Sequence, residues 1–214
     1  MSEPFSRHAK PAVAVDVVLL TVAEGALKVL VQRHTDRGLV LPGGIVRIDE
    51  PLEAAVARVL AQKAHLPDAF VEQLYTFGAV DRDPRGRVIS VAYYALVPAE
   101  RLATALAAAD DLLLAVMDGI EVRAPSRLGY DHADIVRVAV ERLRAKIDYT
   151  AVALELLPAE FTLRALQDVY ETILGVRLAK PAFRRKMLDR GFLKPTGRLE
   201  TGGAHRPAEI YVRA

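Results

Sequence analysis

The chain has 214 residues, 52% of them hydrophobic, which is enough for one large or two small domains with real cores. No apolar run is long enough to span a membrane, the opening MSEPFSRHAK is too polar for a secretory signal, and without cysteine there can be no disulfide or thiolate metal site, all of which fits a cytoplasmic protein. The net charge of +2 hides an asymmetry: residues 177–214 hold ten Lys/Arg against three Asp/Glu, a basic end suited to nucleic acid on an otherwise acidic chain.

Residues 12–22 (AVAVDVVLLTV) are β-branched and apolar and predict a buried strand. Glu24-Gly25 marks a turn, and 27–33 alternates, with Leu27, Val29 and Val31 on one face, as a hairpin partner should. A polar loop, 34–38, leads to Leu39-Val40-Leu41. A helix is expected over 51–64, capped by Asp49 or Glu50 with Pro51 in its first turn. Strands follow at 70–80 and 88–97, then an Ala-rich loop or short helix at 98–111 and a strand at 112–117. Residues 131–146 read as a helix with Ile135, Val138, Ala139 and Leu143 on one face. Tyr93 and Tyr94 alternate on their strand, so one should face a cleft and the other the core.

A second unit begins after Ile147. Residues 148–157 suggest a short helical connector that Pro158 ends. Phe161-Thr162 opens a helix with Thr162 as its N-cap and Gly175 as its C-terminal cap. Pro181 starts the next helix, 182–190, in which Phe183 and Met187 point inward and Arg185 lies opposite, flanked by Arg184 and Lys186. Strands near 192–193 and 209–212 then enclose a polar loop, 196–207. Helix, short turn, basic helix and β-wing make a winged helix–turn–helix, whose second helix can enter the major groove of double-stranded DNA. The candidate DNA contacts are Lys180, Arg184, Arg185 and Lys186 with the wing residues Lys194, Arg198, His205 and Arg206. A compact appendage used for dimerisation is the competing reading.

The stretch 42–66 has Pro42-Gly43-Gly44, then Glu50, Arg58, Leu60 and Leu66. Its frame resembles the Nudix box, G-x5-E-x7-R-E-U-x-E-E-x-G-U with U aliphatic. The spacing is intact, but the glutamate after the arginine is Val59, the glutamate pair is Gln62 and Lys63, and the late glycine is His65. Residues three and four apart share a helix face, so 59, 62 and 63 would form the carboxylate cluster that holds Mg²⁺ in a hydrolase. Here that cluster is apolar, neutral and cationic. No metal, no cofactor and no catalytic residue is therefore expected. The resemblance implies an α/β/α Nudix sandwich over 1–147, followed by a winged helix–turn–helix over 148–214.

FTLRALQDVYETILG, KPAFRRKMLDRGFL and GGAHRPAEIY, with DPRGRVISVAYYAL in the body, resemble the Nudix-related transcriptional regulators of the NrtR family. That resemblance implies a dimeric bacterial regulator on a palindromic operator, with a Nudix domain that senses a metabolite. In one branch the metabolite is ADP-ribose or a related nucleotide and the targets are NAD-synthesis genes; other branches resemble sugar-catabolism regulators. An active diphosphate hydrolase with a DNA-binding tail, and a protein-interaction adaptor, are the alternatives.

The candidate effector cations are Arg33, Arg37, Arg58, Lys63, Arg82, Arg85 and Arg87, because guanidinium forks suit phosphates. Arg58 could equally pair with Glu50. Arg58 and Lys63 are five apart but have side chains long enough to meet on one rim of the cleft. His34, His65 and His132 are isolated in the sequence and are given no metal or base role.

Overall fold

The computed structural model describes residues 8–200 and 207–214. Its first part is built on β1 (Ala12–Ala23), a strand buried on both faces and therefore apolar along nearly its whole length. β1 forms an antiparallel hairpin with β2 (Ala26–His34), and runs parallel to β6 (Val88–Leu96) on its other side. The sheet continues outward through β5 (Val71–Phe77) on one edge and through β7 (Leu112–Asp118) and β8 (Glu121–Arg123) on the other. Two short strands, β3 (Gly38–Val40) and β4 (Gly43–Ile45), pair with β2 and β1.

Helices cover both faces. Val15, Val17 and Leu19 of β1 pack on α1 (Leu52–Lys63) and α2 (Ala99–Ala107). Val18 and Leu20 face α3 (His132–Lys146), whose buried stripe is Ile135, Val136, Ala139, Val140 and Leu143. Val138, expected on that stripe, is only half-buried. Neither Asp49 nor Glu50 caps α1; the N-cap is Pro51, with no side-chain bond. The Glu50 carboxylate is turned instead to Arg58, and also accepts a bond from the Arg47 amide at 3.1 Å, outside the helix.

The connector is a five-residue 3₁₀ helix, Val152–Leu156, and it is largely buried. Phe161–Thr162 forms a strand, β9, before the helix starts. Thr162 caps α4 (Leu163–Leu174) by accepting a bond from the Ala165 amide at 3.2 Å, and Gly175 ends it at φ +69°. Helix α5 (Lys180–Asp189) begins two residues earlier than its sequence suggests, with Pro181 in its first turn. The wing is β10 (Leu193–Leu199) and β11 (Glu209–Arg213), with β9 on the far side of β11. Residues 196–199, expected in a loop, are strand.

One apolar cluster runs from the sheet through α3 and the connector into α4, α5 and β11, taking in Ile147, Leu154, Tyr170, Phe183 and Tyr211. The end of α3 is also tied polar-wise to the second part. Arg144 Nε donates to the Ile173 carbonyl at 2.8 Å, and the Tyr170 hydroxyl donates to the Ile147 carbonyl at 2.9 Å.

Candidate effector pocket and DNA-binding face

A cavity of about 250 Å³ opens where β1, β4, the 82–85 loop and the start of α3 meet. Asp16, Gly43, Arg82, Asp83, Tyr130 and His132 are among its lining residues, and Lys63, Arg85 and His34 complete its polar wall. Asp16 is the one charge in the core stretch of β1. It accepts a bond from Ser90 Oγ at 2.6 Å and one from Arg82 Nη2 at 3.3 Å. Arg82 also grips Asp131 with two bonds, at 2.6 and 2.9 Å, and its side chain is only 3% exposed. His132 Nδ1 accepts from the Leu41 amide at 2.8 Å, and burial pushes the imidazole pKa down, so the ring is neutral. Gly43 crosses directly above Asp16: a Cβ there would stand 2.1 Å from Asp16 Oδ1.

Of the seven candidate effector cations, three line this cavity: Lys63, Arg82 and Arg85. Lys63 Nζ donates to the Gly43 carbonyl at 2.5 Å. Arg85 lies on the rim and forks onto Asp83 at 2.7 and 3.0 Å, which holds the Asp83 pKa down to about 2. Arg37 does not line the cavity but stands over the Tyr130 ring, 5.5 Å from its centre, while Arg85 stands 5.4 Å from the same ring.

The other three cations lie elsewhere. Arg58 forks onto Glu50 at 2.6 and 2.7 Å and reaches the Ile45 carbonyl, so it does not meet Lys63 on a common rim. That fork takes the Glu50 pKa down to about 2. Arg87 donates to the Gly78 and Ala79 carbonyls and closes its own loop, and Arg33 is exposed on β2. Neither Tyr93 nor Tyr94 faces the cavity: both are buried, and Tyr94 donates to Glu72 at 3.0 Å.

Sequence reasoning missed Asp16, Ser90, Tyr130, Asp131 and His132. One signal was present: a carboxylate inside an apolar strand must have partners, because a lone buried charge is costly. What it pairs with could not be read from the strand.

The residues present do not fit a divalent cation. Val59 is buried in the core, Gln62 and Lys63 stand exposed, and Glu50 is already engaged by Arg58. Among the described residues, no group of three His, Cys, Asp or Glu side chains is placed to share a metal ion.

On the second part, Phe183 and Met187 anchor α5, with the Phe183 ring edge-on to Tyr170 at 5.2 Å. Its basic side chains are exposed but not equivalent. Lys186 turns back to Asp148 at 2.9 Å, and Arg184 leans on the Tyr211 hydroxyl at 3.5 Å. Arg198 of the wing is ion-paired with Glu160. Lys180, Arg185 and Lys194 make no side-chain bond among the described residues, which leaves their charge for a ligand. His205 and Arg206 lie outside the described residues.

A Nudix-type sandwich whose metal helix has no carboxylate cluster, joined to a winged helix with free cations on its second helix, defines a DNA-binding regulator with a small-molecule pocket. The model of the NUDIX domain matches residues 10–127, and that of the NrtR DNA-binding winged helix domain matches 153–212. The chain belongs to the NrtR family of Nudix-related transcriptional regulators. It is 32% identical over 212 residues to the ADPR responsive transcriptional repressor NtrR of Acinetobacter baylyi, covering 96% of this chain and 83% of that protein. The crystal structure of Shewanella oneidensis NrtR complexed with a 27mer DNA superposes with a TM-score of 0.84 at 33% identity, over 94% of this chain and 93% of that one. The chain is also 30% identical over 137 residues to an ADP-ribose pyrophosphatase of Methanocaldococcus jannaschii, covering 62% of this chain and 75% of that protein. Among the described residues, no helix is long and apolar enough to cross a membrane.

Proposed function

We propose that the protein is a metabolite-responsive transcriptional regulator that binds ADP-ribose, or a closely related phosphorylated sugar, in the cavity beneath Gly43 and does not hydrolyse it. In this reading residues 1–147 sense the effector and 148–214 bind DNA. The observation that carries it is the pairing of cationic Lys63 and Arg85 at the cavity with a box helix that cannot hold Mg²⁺. An ammonium and a guanidinium supply fixed positive charge for a phosphate where a hydrolase would use the metal. The relative that responds to ADPR supports the choice of ligand.

The protein acts as a homodimer in the cytoplasm, each copy placing α5 in the major groove of one half of a near-palindromic operator. Half-sites then lie about one helical turn, or a multiple of it, apart.

The test is an electrophoretic shift with the upstream region of its own gene, titrated with ADP-ribose. Expected are a shifted band, a change in its affinity on adding ADP-ribose, and the same ADP-ribose affinity with or without EDTA. Binding linkage requires operator DNA to change ADP-ribose affinity by the same factor. Turnover of ADP-ribose with Mg²⁺ or Mn²⁺ at on the order of 1 s⁻¹ or faster would instead support the hydrolase reading that the pyrophosphatase relative suggests.

A further inference from the structure

The cavity has two chemical zones. Lys63 and Arg85 supply positive charge, and Asp16 and His132 supply one acceptor and one donor from the buried network. The side chains of Asp16 and His132 are only 8% and 5% exposed.

Asp16 spends only one of its oxygens on the protein. Oδ2 takes both Ser90 and Arg82, whereas Oδ1 has no hydrogen bond among the described residues. Its neighbour is His132 Nε2 at 3.6 Å, beyond hydrogen-bonding distance. Because Nδ1 of that ring accepts from the Leu41 amide, the single proton of the neutral imidazole is on Nε2. A donor and an acceptor thus stand side by side. Glycine at position 43 lets the chain pack directly against Oδ1, since a Cβ there would stand 2.1 Å from it.

A single oxygen atom can sit about 2.8 Å from both groups, the ordinary hydrogen-bond length. It must donate to Asp16 and accept from His132, and a hydroxyl does both. A phosphate oxygen would meet the negative charge of Asp16. An ammonium could donate but not accept. An apolar group would leave both partners unsatisfied at a cost. The cavity, at about 250 Å³, is also smaller than the roughly 300–1,000 Å³ of a site for a whole drug-sized ligand, so only one end of a dinucleotide-like molecule fits inside.

Building on the effector reading above, we infer that Asp16 and His132 form a hydroxyl-recognition pair that selects the terminal sugar of the ligand. The sugar enters first with one hydroxyl between them, the adjoining phosphate stays near Lys63 and Arg85, and the rest of the ligand lies outside, past Tyr130 and Arg37. Asp16 and His132 are specificity-determining residues, and Gly43 and Ser90 position Asp16.

Calorimetric titration of the full-length protein tests this with ADP-ribose, its 1-, 2- and 3-deoxy analogues in the terminal ribose, and ADP. One of the three deoxy analogues should bind about tenfold or more weakly than ADP-ribose, the loss expected from breaking a hydrogen-bonded contact. ADP, which lacks the sugar, should be at least as weak as that analogue. His132→Gln, which keeps a donor and an acceptor, should preserve the discrimination, whereas His132→Phe should abolish it. If His132→Phe does not fold, the ligand series on the unaltered protein decides alone. Equal affinity for ADP-ribose and all three analogues would overturn the inference and leave the effector reading standing. Failure of ADP-ribose itself to bind would overturn this inference together with ADP-ribose as the effector.

Discussion

Arg82 in the sensor part and Arg185 in the winged helix carry the same guanidinium in opposite circumstances. Arg82 is buried, with Asp16 and Asp131 on its nitrogens, and its charge is consumed by the fold. Arg185 is exposed on α5 and makes no bond among the described residues. The contrast separates a cation that builds a site from one left free for a ligand. It also sorts the rest: Arg58 and Arg87 belong with Arg82, while Lys180 and Lys194 belong with Arg185.

The strongest way to break this contrast is Arg82→Ala. Removing one partner of a buried ion pair leaves two carboxylates uncompensated and should lower the unfolding free energy by about 3–5 kcal/mol in a urea titration. A loss below about 1 kcal/mol would mean that the network is not structural. Arg185→Ala should do the reverse. Operator binding should weaken by roughly 1–3 kcal/mol with relaxed sequence preference if the side chain reads a base edge, while the thermal midpoint stays put. Unchanged affinity and preference would remove α5 from the groove.

Lys194→Ala sharpens the comparison within the DNA-binding face. A phosphate contact carries no sequence information, so binding should weaken on all sequences alike and the salt slope should drop by about one. The Arg58–Glu50 fork gives a pH signature. Glu50 has a pKa depressed from 4.5 to about 2, so its contribution is present above pH 4.5 and is lost as pH falls toward 2. The stability difference between the wild-type chain and Glu50→Gln should shrink across that window; a constant difference would show that the fork does not stabilise the fold. The smallest effect belongs to Arg33→Ala, exposed on β2 and away from the cavity, which should stay within about 0.5 kcal/mol of wild-type stability and leave effector binding unchanged.

Much of the architecture could be read in one dimension because its causes are local. The alternation of 27–33, the caps Thr162 and Gly175, the anchors Phe183 and Met187 and the Gly44–Glu50–Arg58 spacing each lie within a short stretch of chain. These decided the element order, the sandwich followed by a winged helix, and the absence of a carboxylate cluster on the box helix. The partner of a charge is a different matter. Asp16, Ser90, Arg82, Asp131 and His132 come from β1, β6, a loop and the start of α3, and only sheet register and helix placement bring them together. Likewise, the sequence left Arg58 open between a phosphate and Glu50, and only the fold gave it to Glu50 and tied Arg87 to its own loop. Side-chain type and periodicity follow from the sequence, but electrostatic pairing acts through space over a few ångströms, and those distances exist only once the chain has folded.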